Sequence, residues 1–365
     1  MIINRYLISE ISKPLAAILG ILATLLTSYS AAGFLSEAVN GLVPIDIVAK
    51  MIGLKALISL EVLIPISLFL SVVLAFGKLY GDSEFTAMFA LRVTPARVTG
   101  AVLLLSGALA IVVAGLSLVA RPWAYAKLHE LSKRAEMTLN VAAMEAGTFY
   151  VSQHGSRVIF VTHRDGPTSP AQDVFVKRLH DGHTEIIRAK LGYELSSSSD
   201  SEILLSDVHI YELSAIYELS AEDRDGDRAL TAASMFVNPN RHDETPPEYG
   251  SVAASSAELA VSNAPKDVAE LQWRLSTPLS TLLLGMLGIP LSRAKPRQSK
   301  YEKIGTAILI YSAYYLICTS ARIWVQHGIV AAFPGIWWAP ATLSAVLFIT
   351  TFAPDIEVWF RRRRA

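Results

Sequence analysis

The chain has very few cysteines and no excess of either charge. Its 365 residues include one cysteine, Cys318, so no disulfide framework can form within a single chain. The formal net charge is zero at pH 7, which indicates no nucleic acid or other highly charged partner from total charge alone. Any functional use of charge must therefore come from where individual charged residues lie.

The familiar motifs of nucleotide binding and hydrolysis are also missing. The sequence contains no GxxxxGK[ST], no GxSxG and no HExxH. Most of its eight histidines lie in the polar middle of the chain without metal-ligand spacing. His180 and His183 flank Asp181-Gly182, where solvated turn residues are the ordinary interpretation. The sequence predicts a non-catalytic chain with no cofactor and no metal site.

Long hydrophobic runs, in contrast, are plentiful. Hydrophobic residues make up 52% of the chain and charged residues only 18%, and the mean hydropathy is +0.40. About 20 apolar residues are enough for a helix to cross a bilayer, and the first run is too long for a signal peptide. The sequence predicts six transmembrane helices: Pro14–Phe34, Ala56–Gly77, Val98–Ala120, Leu275–Ser292, Ile304–Val325 and Ile336–Ala353. The segment Glu37–Lys55 is expected to be a mixed loop.

A polar insert separates the first three hydrophobic runs from the last three. Arg121–Glu145 continues a helical pattern, and short segments rich in Val, Ile, Phe and Tyr follow it, as in an antiparallel sandwich, barrel or jelly roll. The predicted strands are Thr148–Ser152, Arg157–Thr162, Asp173–Leu179, Thr184–Ala189, Glu202–Leu205 and Val208–Leu213. Loops are expected over Asp223–Pro265. We therefore divide the chain into residues 1–120, an inserted all-β domain at 121–268, and 269–365.

Lysine and arginine are unevenly shared between the two sets of short loops. Cytoplasmic loops are enriched in these residues. One set holds Arg5, Lys13, Lys78, Arg92, Arg97, Arg293, Lys295, Arg297, Lys300, Lys303 and four C-terminal arginines, whereas the other holds Lys50, Lys55 and Arg322. This asymmetry predicts a membrane protein with both termini in the cytoplasm and the β-domain outside, which in a double-membrane bacterium means the periplasm.

Between the second and third runs lies a short amphipathic stretch, Gly81–Arg97, that predicts a helix on the cytoplasmic face. Phe85, Met88 and Phe89 fall at i, i+3 and i+4 and form one apolar stripe. Such a stripe suits a groove on a partner protein. A plain cytoplasmic turn whose apolar residues touch lipid headgroups is the alternative.

The ends of this stretch carry polar and charged residues. Asp82 and Ser83 are suited to accept hydrogen bonds from the first N–H groups of a helix, and Glu84 lies where the helix dipole favours a negative charge. Arg92 adds positive charge near the other end. Thr94 and Pro95 then predict the N-cap and first position of the next helix.

A few ionisable residues fall in or beside the hydrophobic runs. Glu61 lies inside the second run and is placed either on a polar path between helices or at the outer interface. Arg322 and Arg121, together with Arg274, Lys55 and Lys127, are expected near the outer-leaflet level, where cations suit the phosphates of an anionic amphiphile. Ordinary interfacial anchoring is the competing interpretation for each of them.

Several segments together resemble one family of membrane proteins. They are MIINRYL at the start, LIPISLFLSVVLAFGKLY, DSEFTAMFALRVT, AELQWR, and PLSRAKPRQ. In combination they identify the chain as a member of the LptF/LptG family, the permease subunits of the ABC transporter that exports lipopolysaccharide, with the greater likeness to LptF-type members. The resemblance covers essentially the whole chain, including the arrangement of three helices, an insert and three helices.

The resemblance implies a function and a set of partners. Family permeases extract lipopolysaccharide from the inner membrane and pass it to a periplasmic bridge, and their insert is a β-jellyroll. Expected partners are a second, LptG-type permease, a cytoplasmic LptB-type ATPase dimer and a single-span LptC-type jellyroll protein. The rival functions are a permease that transmits force without moving lipid, and a structural membrane anchor.

The resemblance also assigns residues. It places the family's coupling helix, with its acidic residue at Glu84, on Asp82–Leu91. The expected ATPase-coupling residues are Asp82, Glu84, Phe85, Met88, Phe89 and Arg92. Ser30 and Gly33 stand where LptF-type proteins can carry basic residues, which leaves more of the headgroup charge to Arg322, Arg121 or the second permease.

Overall fold

A computed structural model gives the fold of the chain. It describes residues 2–39, 45–137, 147, 149–151, 157–163, 169–180, 183–197, 200–214, 228–237, 250–293 and 302–364. The chain divides into two compact units. One contains residues 1–29, 53–128 and 248–365, and the other contains residues 30–52 and 129–247.

The helices carry most of the apolar sequence. They are α1 (Ile2–Val39), α2 (Ile45–Gly81), α3 (Glu84–Ala90), α4 (Pro95–Gly115), α5 (Arg121–Met137), α6 (Gly250–Ala253), α7 (Ser256–Val261), α8 (Pro265–Ser292), α9 (Glu302–Gln326) and α10 (Trp338–Arg364). A π-helical turn, Leu116–Ala120, joins α4 to α5 without a break. The predicted helical extension beyond residue 120 is therefore confirmed as far as Met137.

Five described helical stretches are long and apolar enough to cross a membrane: Ile2–Ser36, Ile47–Gly81, Pro95–Ser132, Pro265–Ser292 and Lys303–Gln326. The sixth predicted helix corresponds to a shorter apolar stretch, Trp338–Phe352, within α10. The loop predicted over Glu37–Lys55 was wrong at both ends, because α1 continues to Val39 and α2 begins at Ile45. Polar residues at those helix ends, which resemble a loop in sequence, simply extend the helices.

Two hydrophobic clusters hold the helical unit together. One joins α1, α2, α3 and α4 around Phe76, and the other joins α2, α8, α9 and α10 around Trp273. Between α2 and α8 the approach is close, because a Cβ atom added at Gly288 would lie 2.7 and 2.8 Å from atoms of Val72. Small residues allow helix backbones to approach in this way within membranes. Helix α8 is therefore central to this unit.

The second unit contains an antiparallel sheet. Its strands are β1 (Phe149–Val151), β2 (Arg157–His163), β3 (Ala171–His180), β4 (His183–Ser197), β5 (Asp200–Ser214) and β6 (Arg228–Val237). Each strand pairs with the next, so the spatial order of the described strands equals their sequence order within one sheet. Val174, Ile187, Leu205 and Val208 are buried on one face and form its core. The expected all-β insert is confirmed as an antiparallel β-domain.

Three details of the insert differ from the sequence prediction. Glu202–Leu205 and Val208–Leu213 are one strand, β5, which passes through Asp207 with a left-handed φ of 56°. Opposite it, Lys190 lies 2.8 Å from the Asp207 carboxylate and lowers the pKa of that carboxyl from its usual value. Strand β6 and helices α6 and α7 lie where loops were predicted. The sequence prediction left Ser206 and Asp207 between two separate strands, and aspartate commonly marks turns.

Candidate functional site

The first candidate site is the corner between α2 and α4, which contains α3. Helix α2 ends at Gly81, Ser83 adopts a left-handed φ of 59°, and α3 occupies Glu84–Ala90. The Ser83 side chain makes no capping hydrogen bond, so its predicted capping role was wrong. The backbone N–H of Asp82 instead donates to the Lys78 carbonyl at 2.8 Å, which extends the end of α2.

The predicted apolar stripe of α3 divides between the inside and the outside of the chain. Phe85 is only 1% exposed, and its ring centroid lies 5.1 Å from that of Phe76 and 4.5 Å from that of Tyr80. Met88 packs against the same cluster. Phe89 is 39% exposed and the following Leu91 is 80% exposed. The stripe therefore fixes α3 to its own chain through Phe85 and leaves Phe89 and Leu91 as the accessible apolar surface.

Charged residues connect this corner to the start of α1. The Tyr6 hydroxyl donates to Glu84 at 2.6 Å, and Glu10 lies 3.3 Å from the Lys78 ammonium. Arg92 is exposed and has a φ of 61°, which turns the chain between α3 and α4. The participation of α1 was missed from the sequence, although Tyr6 and Glu10 share one helix face at an i, i+4 spacing.

Thr94 and Pro95 begin α4 as predicted. Thr94 is the N-cap residue and Pro95 occupies the first turn, where its missing N–H costs nothing. This fixed start keeps α3 close to α4, with Val93 and Val98 buried in the same hydrophobic cluster as Phe85. A displacement of α3 would therefore act on α1, α2 and α4 together.

The second candidate site is the buried charge cluster, which consists of Glu61, Arg121, Glu270, Arg274 and Arg322. Glu61 on α2 is 2% exposed, and one Arg121 nitrogen lies 3.1 and 3.0 Å from its two carboxylate oxygens. The Ser117 hydroxyl donates to Glu61 at 2.8 Å. Ser117 lies in the π-helical turn directly before Arg121, and such turns frequently occur at functional sites. The polar-path interpretation of Glu61 is the one that the structure supports.

Glu270 on α8 is the central carboxylate of this cluster and is fully buried. Its Oε2 accepts from Arg322 Nη2 at 2.7 Å, and its Oε1 accepts from Arg274 Nε at 3.0 Å. Arg121 Nη2 lies 3.3 Å from Oε1. One carboxylate thus contacts three guanidinium groups that come from α5, α8 and α9.

Arg274 directs the remainder of its guanidinium toward the short helices that precede α8. Its Nη1 donates to the Ala254 carbonyl and the Ser256 hydroxyl at 3.0 Å, and its Nη2 donates to Val252 at 3.0 Å. The Ser256 hydroxyl in turn donates to the Leu118 carbonyl at 2.8 Å. Arg274 is therefore a structural residue that attaches the segment after the β-insert to the π-helical turn.

Several N–H groups around the cluster have no hydrogen-bond acceptor within the described residues: Arg121 Nε, Arg322 Nε and Trp273 Nε1. The Arg322 guanidinium lies 5.2 Å from the centre of the Trp273 ring, a cation–π distance. Three arginines against two carboxylates leave one net positive charge. The cluster is thus a buried cationic centre with unused donors.

The expected headgroup residues have different surroundings. The Arg322 side chain is 21% exposed, whereas that of Arg121 is 6% exposed and contacts both carboxylates. Lys55 is partly exposed, and no ion pair of its side chain occurs in the described part of the chain. Glu270 was not predicted from the sequence, although Glu270 and Arg274 show the i, i+4 spacing of an intrahelical ion pair.

Long apolar helices with buried charges between them, interrupted by a β-insert, define a polytopic membrane protein of the transport type. The chain belongs to the family of lipopolysaccharide export system permeases LptF/LptG, whose model matches residues 5–353. It is 27% identical over 328 residues to the permease protein LptF of Escherichia coli K12, Escherichia coli O157:H7 and Shigella flexneri. Each alignment covers 88% of this chain and 87% of the relative.

Family membership confirms the identification from the sequence motifs. The chain is a multi-span inner-membrane permease of a lipopolysaccharide export system, and it is not itself the catalytic component. Both candidate sites lie within the matched range.

Proposed function

We propose that this chain is the permease subunit that extracts lipopolysaccharide from the inner membrane and passes it toward a periplasmic bridge. A separate LptB-type ATPase dimer hydrolyses ATP, an LptG-type permease completes the membrane channel, and an LptC-type protein joins the β-domain. Both termini lie in the cytoplasm and the β-domain lies in the periplasm. The observation that carries the proposal is the family match, which extends over residues 5–353.

The α3 corner is the site at which ATPase movement enters the chain. Phe89 and Leu91 are the accessible apolar groups for an ATPase groove, and Asp82, Glu84 and Arg92 supply charge around them. Phe85 and Met88 face the chain's own core, so they transmit the displacement to the membrane helices. In this proposal all six predicted residues take part in coupling. Some contact the ATPase, and the others transmit its movement to the membrane helices.

Headgroup recognition is assigned to Arg322, with Arg121 and Lys55 in support. Arg322 combines partial exposure with an unused N–H group, and guanidinium groups bind phosphate oxygens through paired donors. Arg121 lies deeper and stabilises the cluster through Glu61. Lys55 contributes as a separate cation on α2.

The test is ATP-driven release of lipopolysaccharide from proteoliposomes that contain the complete transporter. We expect Glu84→Ala to preserve assembly with the ATPase and second permease but to reduce release, because the variant loses the Tyr6 contact and the charge at the corner. Thr86→Ala is the matched control, since Thr86 is exposed on the same helix.

Assembly is measured on the same samples by affinity purification and mass spectrometry. Recovery of the chain without an ATPase or second permease would indicate a structural anchor. Hydrolysis and assembly without any lipid release from the wild-type complex would indicate a permease that transmits force only. Normal release by Glu84→Ala would contradict the coupling role of this residue.

A further inference from the structure

We propose that Glu270 is the internal counterion of Arg322, and that it competes with the lipid phosphate for this guanidinium. The inference rests on the proposed function, because it assumes that Arg322 meets the headgroup. It adds a positioning residue that holds Arg322 in place before lipid arrives and favours release afterwards. The ligand class is a phosphate monoester carried by an amphiphile.

Glu270 is suited to this task because its partners differ in how strongly they are held. Arg274 has further acceptors in the Ala254 and Val252 carbonyls, and Arg121 has Glu61. Arg322 has Glu270 as its one ion-pair partner within the described residues, at 2.7 Å. An incoming anion can therefore displace Glu270 from Arg322 while the other two arginines keep the carboxylate compensated.

The surroundings of Arg322 leave room for such an exchange. Its side chain is 21% exposed, whereas the Glu270 side chain is fully buried. Arg322 Nε is buried without an acceptor in the described part of the chain, as is the indole N–H of Trp273, whose ring the guanidinium contacts. Buried donors without an acceptor are costly, so a phosphate oxygen that reaches them would be stabilised. The cluster's single net positive charge likewise favours an anionic ligand such as a phosphate.

A neutral residue at position 270 has a predictable consequence. Glu270→Gln keeps the size of the side chain but removes the charge that competes for Arg322, so phosphate binds more tightly and leaves more slowly. A purely structural role predicts the opposite, since a disturbed cluster would bind the headgroup less well. The direction of the change therefore separates the two roles.

The experiment uses the complete transporter in nanodiscs, with benzoylphenylalanine at position 315 as the photocrosslinker. Tyr315 lies seven residues before Arg322 on α9, is 37% exposed, and its ring lies 6.3 Å from that of Trp273. The probes are lipid A bisphosphate and its dephosphorylated form, with inorganic phosphate as a free competitor. Adducts are quantified against lipid concentration and against salt.

We expect Glu270→Gln to lower the half-saturating concentration of lipid A bisphosphate roughly three- to tenfold, which corresponds to about 0.7–1.4 kcal/mol of binding free energy. Binding should also persist to higher salt. Arg322→Gln should reduce binding and cancel the effect in the double variant. Asp267→Asn is the matched control, because it neutralises a carboxylate on the same helix that contacts Ser262, and it should bind as the wild type does.

Glu270→Asp retains the charge with a shorter side chain, so it should increase the affinity for lipid A bisphosphate less than Glu270→Gln does. This variant keeps the test valid if Glu270→Gln fails to assemble. Competition by inorganic phosphate alone would show that the site binds phosphate from either source, with the acyl chains supplying additional affinity. Equal or weaker binding by both Glu270 variants overturns the proposal. Capture of dephosphorylated lipid A by the wild type at the same level as lipid A bisphosphate also overturns it. Lipid release from proteoliposomes tests the proposed function separately.

Discussion

Phe85 and Phe89 are four residues apart on α3, and their rings stack at a centroid distance of 5.8 Å. Their surroundings are nevertheless different. Phe85 is enclosed by Phe76 and Tyr80, whereas Phe89 retains 39% of its exposure. One ring therefore contributes to the stability of the chain, and the other is free to contact a partner.

The corresponding prediction compares Phe85→Ala with Phe89→Ala. Removing a buried phenylalanine costs about 3–5 kcal/mol of unfolding free energy, so Phe85→Ala should lower the midpoint of thermal unfolding of the isolated chain in detergent. Phe89→Ala should leave this midpoint nearly unchanged but weaken co-purification of the ATPase. Equal thermal stability of both variants would contradict the division of α3 into an inner and an outer residue.

The charge cluster shows why a few polar residues are retained among apolar helices. Burying a charge is costly even when it is paired, and removal of one partner leaves the other uncompensated. Glu61, Glu270 and Arg274 are almost completely buried, yet every one of them has partners within hydrogen-bonding distance. The arrangement also leaves the Arg322 side chain 21% exposed, which is consistent with the anion binding proposed for it.

At the scale of elements, α8 is the helix on which the others are assembled. It packs against α4, α9 and α10, carries Glu270 and Arg274, and approaches α2 at Gly288. Nothing lies within 4 Å of a Cβ atom added at Gly107 on α4, which makes Gly107 a natural control.

Gly288→Ala should therefore destabilise the chain, whereas Gly107→Ala should not. The added methyl group at position 288 would overlap with Val72, and overpacking of this kind costs about 1–3 kcal/mol. At Gly107 the replacement is neutral or stabilises the helix by up to about 1 kcal/mol. Thermal unfolding of the two variants in the same detergent measures the difference, and a loss of stability at both positions would indicate a general intolerance of substitution rather than a close helix contact.

Much of this architecture was predictable because membrane helices and β-strands have characteristic patterns of hydrophobic residues in the sequence. The prediction failed where tertiary contacts override local preference. Strand β6, RALTAASMFV, is rich in small residues and becomes a strand by pairing with β5. Helix α8 begins ten residues before the predicted apolar run, so Glu270 lies inside the unit although it precedes that run in sequence.

The two candidate sites had different degrees of predictability. The coupling stretch was visible as an amphipathic segment between two hydrophobic runs, but Tyr6 was not, because its contact with Glu84 joins residues 78 positions apart. The cationic residues Arg121 and Arg322 were visible as charges beside apolar runs. Their shared carboxylate was not, since nothing in a single sequence states that α5, α8 and α9 converge.

At the scale of the whole molecule, the distribution of charge supports the proposed orientation in the membrane. The α3 corner contains exposed Arg92 and Arg97, and short loops on the cytoplasmic side of a membrane are enriched in lysine and arginine. The proposed orientation therefore has the α3 corner in the cytoplasm and the β-domain in the periplasm.

Cysteine accessibility tests this orientation directly. With the buried Cys318 replaced by serine, we expect Tyr193→Cys on β4, a position 43% exposed, to react with a membrane-impermeant maleimide in cells whose outer membrane alone is permeabilised. Leu91→Cys, at an 80% exposed position beside α3, should react only after the inner membrane is opened. Labelling of both variants in the fully solubilised chain is the control for reactivity. The reverse pattern would place the α3 corner in the periplasm, where no ATPase could reach it, and would contradict the coupling mechanism together with the orientation.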